Sequence, residues 1–160
     1  MATELEDLKI LQSAEGIADA VWKRVVQWDE FAKDVVGKQL ARSTDSIGAN
    51  IAESYGRFNY GEKLQFLYYA RGSLFETKYW LNRALVRELM QSDDVKSYAA
   101  RLSDVARRLN TFANSLKSQR KDNKVSSKSV SESPAEYIVE DRLNDSIPFF
   151  TDLELKWLES

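Results

Sequence analysis

Glu53 and Glu76, with Asn50, Arg57 and Arg71 at helical spacings around them, are the side chains of this chain whose types best suit chemistry. Paired carboxylates can divide general-acid and general-base work or hold a metal, and an enzyme using Glu53, Arg57 and Glu76 is the remote reading. The same residues fit a plainer use. A charge taken out of water needs a partner, and Glu53 and Glu76 can neutralise Arg42, Arg57 or Arg71 within or between subunits. Composition favours the plainer use, because the chain has no cysteine and no histidine. That removes thiol nucleophiles, disulfides, thiolate zinc sites, Ser-His-Asp and Cys-His arrangements, and the Glu-x-x-His di-iron bundles. The expectation is a protein that is no enzyme, with no cofactor and no metal. Asn50, Glu53, Arg71 and Glu76 are then read as a buried polar network at an interface.

These residues lie in Leu40–Leu81, where two helical patterns carry more apolar surface than one neighbour can cover. A first helix is expected from Thr3 to about Trp28, with Thr3 and Glu6 as a capping box and a stripe of Leu8, Leu11, Ala18, Val21, Trp22 and Val25. Gln27–Asp34 reads as a short connection whose Trp28 and Phe31 plug the end of a bundle, with a partner contact as the alternative. A second helix from about Val35 to Tyr55 has its core face at Leu40, Thr44, Ile47, Ile51 and Tyr55. Its small residues Gly48, Ala49 and Ala52 admit a close neighbour, and Gly56 is expected to end it in the left-handed conformation.

The third helix, about Tyr60 to Glu88, carries two stripes. One is Leu64, Leu67, Tyr68, Leu74, Phe75, Leu81 and Leu85, with Arg71 and Lys78 on the same side. The other includes Phe66, Tyr69, Ser73 and Trp80, and the spacing predicts that this side meets another subunit. Gly72-Ser73 in mid-helix suggests a close backbone approach there. Ser92 caps a fourth helix whose stripe runs Val95, Tyr98, Ala99, Leu102, Val105, Ala106, Leu109, Phe112, Ala113 and Leu116.

Short connections between four such helices predict an all-α, up-down-up-down four-helix bundle over residues 1–118. Residues 119–134 are polar and serine-rich and read as a flexible linker. Residues 135–160 form an acidic tail dotted with Tyr137, Ile138, Ile147, Phe149, Phe150, Leu153, Leu155, Trp157 and Leu158. Thr151 and Glu154 can cap a short helix at 152–159, too short to hold without docking. The net charge of −2 divides unevenly: residues 1–121 hold 19 Lys and Arg against 16 Asp and Glu, and residues 122–160 hold four against nine. With no run of 18 apolar residues and an acidic start, the expectation is a cytoplasmic protein without a membrane partner.

The bundle also resembles a known family, the four-helix-bundle proteins encoded in intervening sequences of bacterial large-subunit ribosomal RNA genes. The likeness is carried by Leu5-Glu6-Asp7-Leu8 with Gln12 and Ala14, by Gln39-Leu40-Ala41-Arg42, and by the run Ser46 to Arg57 (S-I-G-A-N-I-A-E-S-Y-G-R). It continues through Phe66-Leu67, Ala70, Gly72-Ser73-Leu74 and Glu76. The resemblance implies a ring-like homo-oligomer, usually five-fold, with no assigned catalytic activity. It also implies kinship with the accessory bundle of diversity-generating retroelements, which partners a reverse transcriptase and binds nucleic acid.

Three surfaces follow. Lys38, Arg42, Arg57, Lys63, Arg101, Arg107, Arg108 and Lys117 are the candidate phosphate-binding residues for RNA or DNA, whose weak individual contacts a ring would multiply. Phe66, Tyr69, Ser73 and Trp80 are the expected oligomer interface. Phe149, Phe150, Leu153 and Trp157 are the docking residues of the tail, which either recruits a partner protein or folds back to mask the basic body. The first reading of function is therefore a homo-oligomeric scaffold associated with nucleic acid or a nucleoprotein. The alternative is a protein-only adaptor whose tail docks a partner protein or enzyme.

Overall fold

A computed structural model of the chain describes residues 2–126 and 148–160, with side chains from 8 to 123 and from 148 onward. Among the described residues every regular element is helical. The helices are α1 (Ala2–Val25), α2 (Glu30–Ala32), α3 (Lys38–Gly56), α4 (Tyr60–Val86), α5 (Ser92–Ser126) and α6 (Asp152–Glu159). The Thr3–Glu6 capping box and the tail residues Tyr137, Ile138 and Ile147 lie outside the described side chains.

Four long helices form the bundle. α1 packs on α3 and α5, and α4 packs on the same two, so α3 and α5 sit diagonally across a core that all four share. The α5 stripe is as expected, with every member buried except Tyr98, which is half-buried. α5 runs on to Ser126, however, so residues 119–126 extend the helix instead of starting a linker. In α1 the buried face is Ile10, Ala14, Ile17, Val21 and Val25, while Leu8 and Trp22 stand exposed. Two overlapping apolar stripes share that helix, and reading the wrong one rotates the face by about one residue.

The segment expected to be a connection is helical from Glu30. Asp29 caps it, its Oδ1 accepting the Ala32 amide at 3.0 Å. A π-helical turn at Lys33–Gly37 then leads into α3. Gly37 is buried at this turn, and a Cβ there would lie 2.6 Å from Val25 Cγ1 and 3.5 Å from Trp28 Cε3. Trp28 packs against the core as expected, but Phe31 is 78% exposed and plugs nothing. Nor does α3 end on a left-handed glycine: no described glycine has positive φ, and the chain leaves Gly56 through Arg57 in extended conformation. Ser54 closes the corner, fully buried, donating to the Lys63 carbonyl at 2.8 Å. It takes the core position expected of Tyr55, which is exposed.

The left-handed position falls instead on Glu88, φ 59°. There the Leu89 amide donates to Ala84 O at 2.8 Å and the Glu88 amide to Leu85 O at 3.1 Å, the pair of bonds that ends a helix in a Schellman turn. Between α3 and α4 the contact is lined by small hydroxyls. Thr77 Oγ1 sits 3.1 Å from Ser43 Oγ and 2.8 Å from the Ser73 carbonyl, and Thr44 donates to Leu40 O at 2.6 Å. These side chains satisfy themselves on their own helices, which lets the two backbones approach without orphaned polar groups. Gly48 serves α1 in the same way, its added Cβ meeting Ala14 Cβ at 3.8 Å.

Gly72 behaves differently from Gly37. It is exposed, and a Cβ there meets nothing within 4 Å, so the expected close approach does not occur among the described residues of this chain. Gly72→Ala should therefore raise the stability of the isolated chain by about 0.5–1 kcal/mol through helix propensity. Gly37→Ala should lower it by about 1–2 kcal/mol, the overlap with the stiff Val25 outweighing the same propensity gain. Thermal melts of the two variants check both signs.

Candidate functional site

The most specific polar arrangement in the molecule is where the end of the chain meets α4 and α5. α4 presents Tyr68, Arg71 and Phe75, one helical stripe, and α5 presents Ser103, Arg107 and Asn110, another. Residues 148–160 lie against them. Phe149 and Phe150 are buried, and so is Leu158. The Phe149 ring packs on Tyr68 with centroids 4.6 Å apart, and Phe75 stacks with both Phe150 (5.9 Å) and Trp157 (5.5 Å).

Polar groups fix the register. Asn110 holds both sides of one peptide residue, its Nδ2 donating to Phe150 O at 3.1 Å and its Oδ1 accepting the Phe150 amide. Arg71 Nε donates to Phe149 O at 2.8 Å while its guanidinium pairs with Glu154 and lies over the rings of Phe75 (4.9 Å) and Phe150 (5.3 Å). At the far end Glu159 takes hydrogen bonds from Arg107 and from Ser103 Oγ, the latter at 3.1 Å. α6 is started by the expected capping box, Thr151 with Glu154. Leu153, expected among the docking residues, points away and is exposed.

Both tail carboxylates are shifted. Burial alone would push Glu154 up, but the Thr151 amide, the charge and hydrogen bond of Arg71 and the Thr151 hydroxyl outweigh it and hold the carboxyl below the usual glutamate range. Glu159 is also lowered, by its hydrogen bonds from Arg107 and then Ser103, against slight desolvation and with help from the Arg107 charge. A carboxyl lowered by seating binds fewer protons seated than free, so seating keeps its full strength above the ordinary glutamate pKa, about 4.3, and weakens as pH falls through the lowered values. Acid should thus release the tail while the apolar core still holds. Trp157 emission followed from about pH 6 down to about pH 3 should shift red before helicity is lost.

Within the single chain and among the described residues the expected buried network does not form. Asn50 Nδ2 donates to the Ser46 carbonyl one turn back, at 2.8 Å. Glu53 pairs with Arg57 on the same exposed helix face, a contact of a few tenths of a kcal/mol, about 0.3–0.5. Glu76 is exposed and faces Trp80 Nε1 at 3.4 Å, and Arg71 is taken by the tail. Glu53 and Glu76 therefore share no site. The buried charge lies elsewhere: Lys78 is 1% exposed, its Nζ has no hydrogen-bond partner among the described residues, and burial lowers its pKa.

The basic candidates divide between the diagonal helices α3 and α5, with Lys63 on α4. Lys38 pairs with Asp34, Arg57 with Glu53, Arg107 with Glu159 and Arg108 with Asp104. Lys63 reaches the Tyr55 carbonyl at 3.4 Å, and Lys117 is buried, which takes it off any phosphate-binding surface. Arg42 and Arg101 are exposed, Arg101 lying over Gly16 of α1. Of the expected oligomer interface, Ser73 is buried against the chain itself, Phe66 and Trp80 are half-buried and Tyr69 is 50% exposed.

A second group of aromatics stays uncovered at the α3–α4 corner. Phe58 is 96% exposed, Tyr55 is exposed, and Phe66 meets Tyr69 edge-on at 5.4 Å with the Arg57 guanidinium 4.6 Å from the Phe66 centroid. At the opposite end of α3, Trp22, Val26, Phe31 and Val35 are exposed as well.

The arrangement is that of an all-α, antiparallel four-helix bundle with its C-terminal segment seated on one face. The 23S rRNA-intervening sequence protein family matches residues 6–111, and the chain belongs to that family. Its bundle is also similar to the crystal structure of a protein of unknown function from the S23 ribosomal protein family of Bacteroides thetaiotaomicron. The TM-score is 0.62 at 24% identity, over 68% of this chain and 97% of that one. No curated protein matches the chain. The seat residues Tyr68 to Asn110 thus fall inside the family match, and the segment that occupies the seat falls outside it.

Proposed function

We propose that the protein is a non-enzymatic homo-oligomeric scaffold, five copies to a ring by its family resemblance, that associates in the cytoplasm with nucleic acid or a nucleoprotein. The observation that carries the oligomeric half is the uncovered apolar surface at both ends of α3: Tyr55, Phe58 and Tyr69 at one, Trp22, Phe31 and Val35 at the other. The two ends of this 19-residue helix are about 30 Å apart. Two separate patches suit a head-to-tail contact, in which one patch of a copy meets the other patch of the next, and such contacts form a ring when the rotation between copies closes. Exposed Gly72 on α4 leaves room for a neighbouring backbone. Among the described residues no helix is long and apolar enough to cross a membrane.

The nucleic-acid half rests on Arg42 and Arg101, which carry no ion pair among the described residues, and on the family's description. The two arginines of one copy are too few for tight binding; a ring repeats them. The tail lays Glu154 and Glu159 on Arg71 and Arg107, which supports masking over recruitment, since Phe149 and Phe150 are already engaged. Filter binding of RNA and DNA against salt tests the reading. A log-log slope of about −2 or steeper is expected, because each displaced phosphate contact contributes about −0.7 to −0.9. A slope near zero for both polymers contradicts nucleic-acid association.

A further inference from the structure

We propose that the α4–α5 face carrying Arg71, Asn110 and Arg107 is a peptide-binding site that takes residues 148–160 of a second copy of this chain as well as its own. This goes beyond the scaffold reading and does not depend on it.

The bonds at this face are of the kind that recognise a peptide. Asn110 reads the N–H and C=O of one residue, and Arg71 reads the carbonyl before it, so the first contacts are to backbone at Phe149 and Phe150. Specificity comes from two neighbouring aromatic rings and from a carboxylate at each end of a short helix, Glu154 on Arg71 and Glu159 on Arg107. The ligand class is therefore a pair of aromatics followed by a self-capped acidic helix. The segment is a separable unit, because it brings its own capping box and lies beyond the family match that contains its seat.

Eight helical residues are too few to stay ordered alone, so order and docking come together, and the seat is left whenever the segment is released. Between Ser126 and Pro148 lie 21 residues, a contour of up to about 70 Å. That length does not restrict the segment to its own bundle. In any assembly of copies, a neighbour's segment competes at the high local concentration a tether confers.

The test uses the full chain carrying Phe149→Ala and Phe150→Ala, so that its own segment no longer competes, and a fluorescent peptide of residues 147–160. Saturable binding is expected, weakened about tenfold or more by adding Arg71→Ala or Asn110→Ala. A scrambled peptide of equal charge should not bind. No binding by a chain whose helicity is intact, or equal binding of the scrambled peptide, overturns the proposal. A second format keeps the wild-type segment: a protease site is placed within 127–147 and cut. The labelled peptide should then replace the cut segment, and failure to exchange in either direction overturns the proposal even if the first variant does not fold. Because one peptide and one bundle suffice, a negative result here is distinct from absence of a ring.

Discussion

Lys78→Met should raise the melting temperature by about 4–8 °C. Lys78 lies on α4 between the fully buried Leu74 and Leu81, and its ammonium has no acceptor within reach among the described residues. An unpaired buried charge costs several kcal/mol, and methionine keeps most of the stem's packing without that cost. A net gain of about 2 kcal/mol corresponds to the stated shift for a chain of this length. The pH dependence fixes the cause. Burial lowers the lysine's pKa, so between the lowered value and the ordinary one, about 10.4, the unfolded chain binds more protons than the folded one and wild-type stability rises with pH. The advantage of Lys78→Met should therefore be largest at neutral pH and shrink toward about pH 10. A variant that is less stable than wild type at neutral pH would mean that the ammonium has a partner contributed from outside the described residues, such as a neighbouring copy.

Phe150→Ala should detach the C-terminal segment without unfolding the bundle. Truncating a buried phenylalanine costs about 3–5 kcal/mol where the side chain cannot escape. Here it can, so the loss is limited to the free energy of seating, after which the segment simply leaves. The ring stack on Phe75 goes, and the Asn110 clamp on the Phe150 peptide loses its anchor. The readouts are local: Trp157 emission shifts red, residues 148–160 become susceptible to protease, and the main thermal transition moves little. Under the masking reading the variant also binds RNA more tightly at low salt, because Arg71 and Arg107 lose their carboxylates. A large drop in the main transition would show instead that residues 148–160 belong to the cooperative core.

How much of this was legible depends on how many readings each pattern allows. The α5 stripe is legible in the sequence because it is continuous and the other face is charged, leaving one way to bury it. α6 was legible from four residues, Thr151 to Glu154, since a capping box has a fixed spacing. α1 offered two overlapping stripes, and only packing against α3 and α5 selects Ile10, Ala14 and Ile17. α4 was recognisable as buried on two sides, but spacing does not say by what. Part of the surface assigned to a subunit contact is buried within the chain at Ser73, and the face bearing Arg71 and Phe75 is covered by the chain's own end.

The polar residues were harder still. Glu53 and Glu76 attract notice for their type, yet both lie on exposed faces. The seat residues Ser103, Arg107 and Asn110 also follow a helical spacing, just beside the core stripe of α5, but nothing marks them as a seat until a partner is known, and Arg107 stands out only for its charge. The buried lysine was visible as an oddity on an apolar stripe, and its lack of a counter-charge is a fact of three dimensions. Gly56 and Glu88 reverse the usual rule: the corner after Gly56 is closed by a serine hydrogen bond, and the left-handed residue is a glutamate, held there by the Schellman pair.

Self-association is what the proposed ring requires, and the molar mass of the native chain tests it directly. Light scattering across a hundredfold range of concentration should give a constant multiple of 18.4 kDa, five-fold if the family resemblance holds. Tyr69→Asp or Phe58→Asp should reduce it toward a single copy while leaving helicity unchanged. A mass of 18.4 kDa at every concentration, with the aromatics of both α3 ends still exposed, would contradict the account.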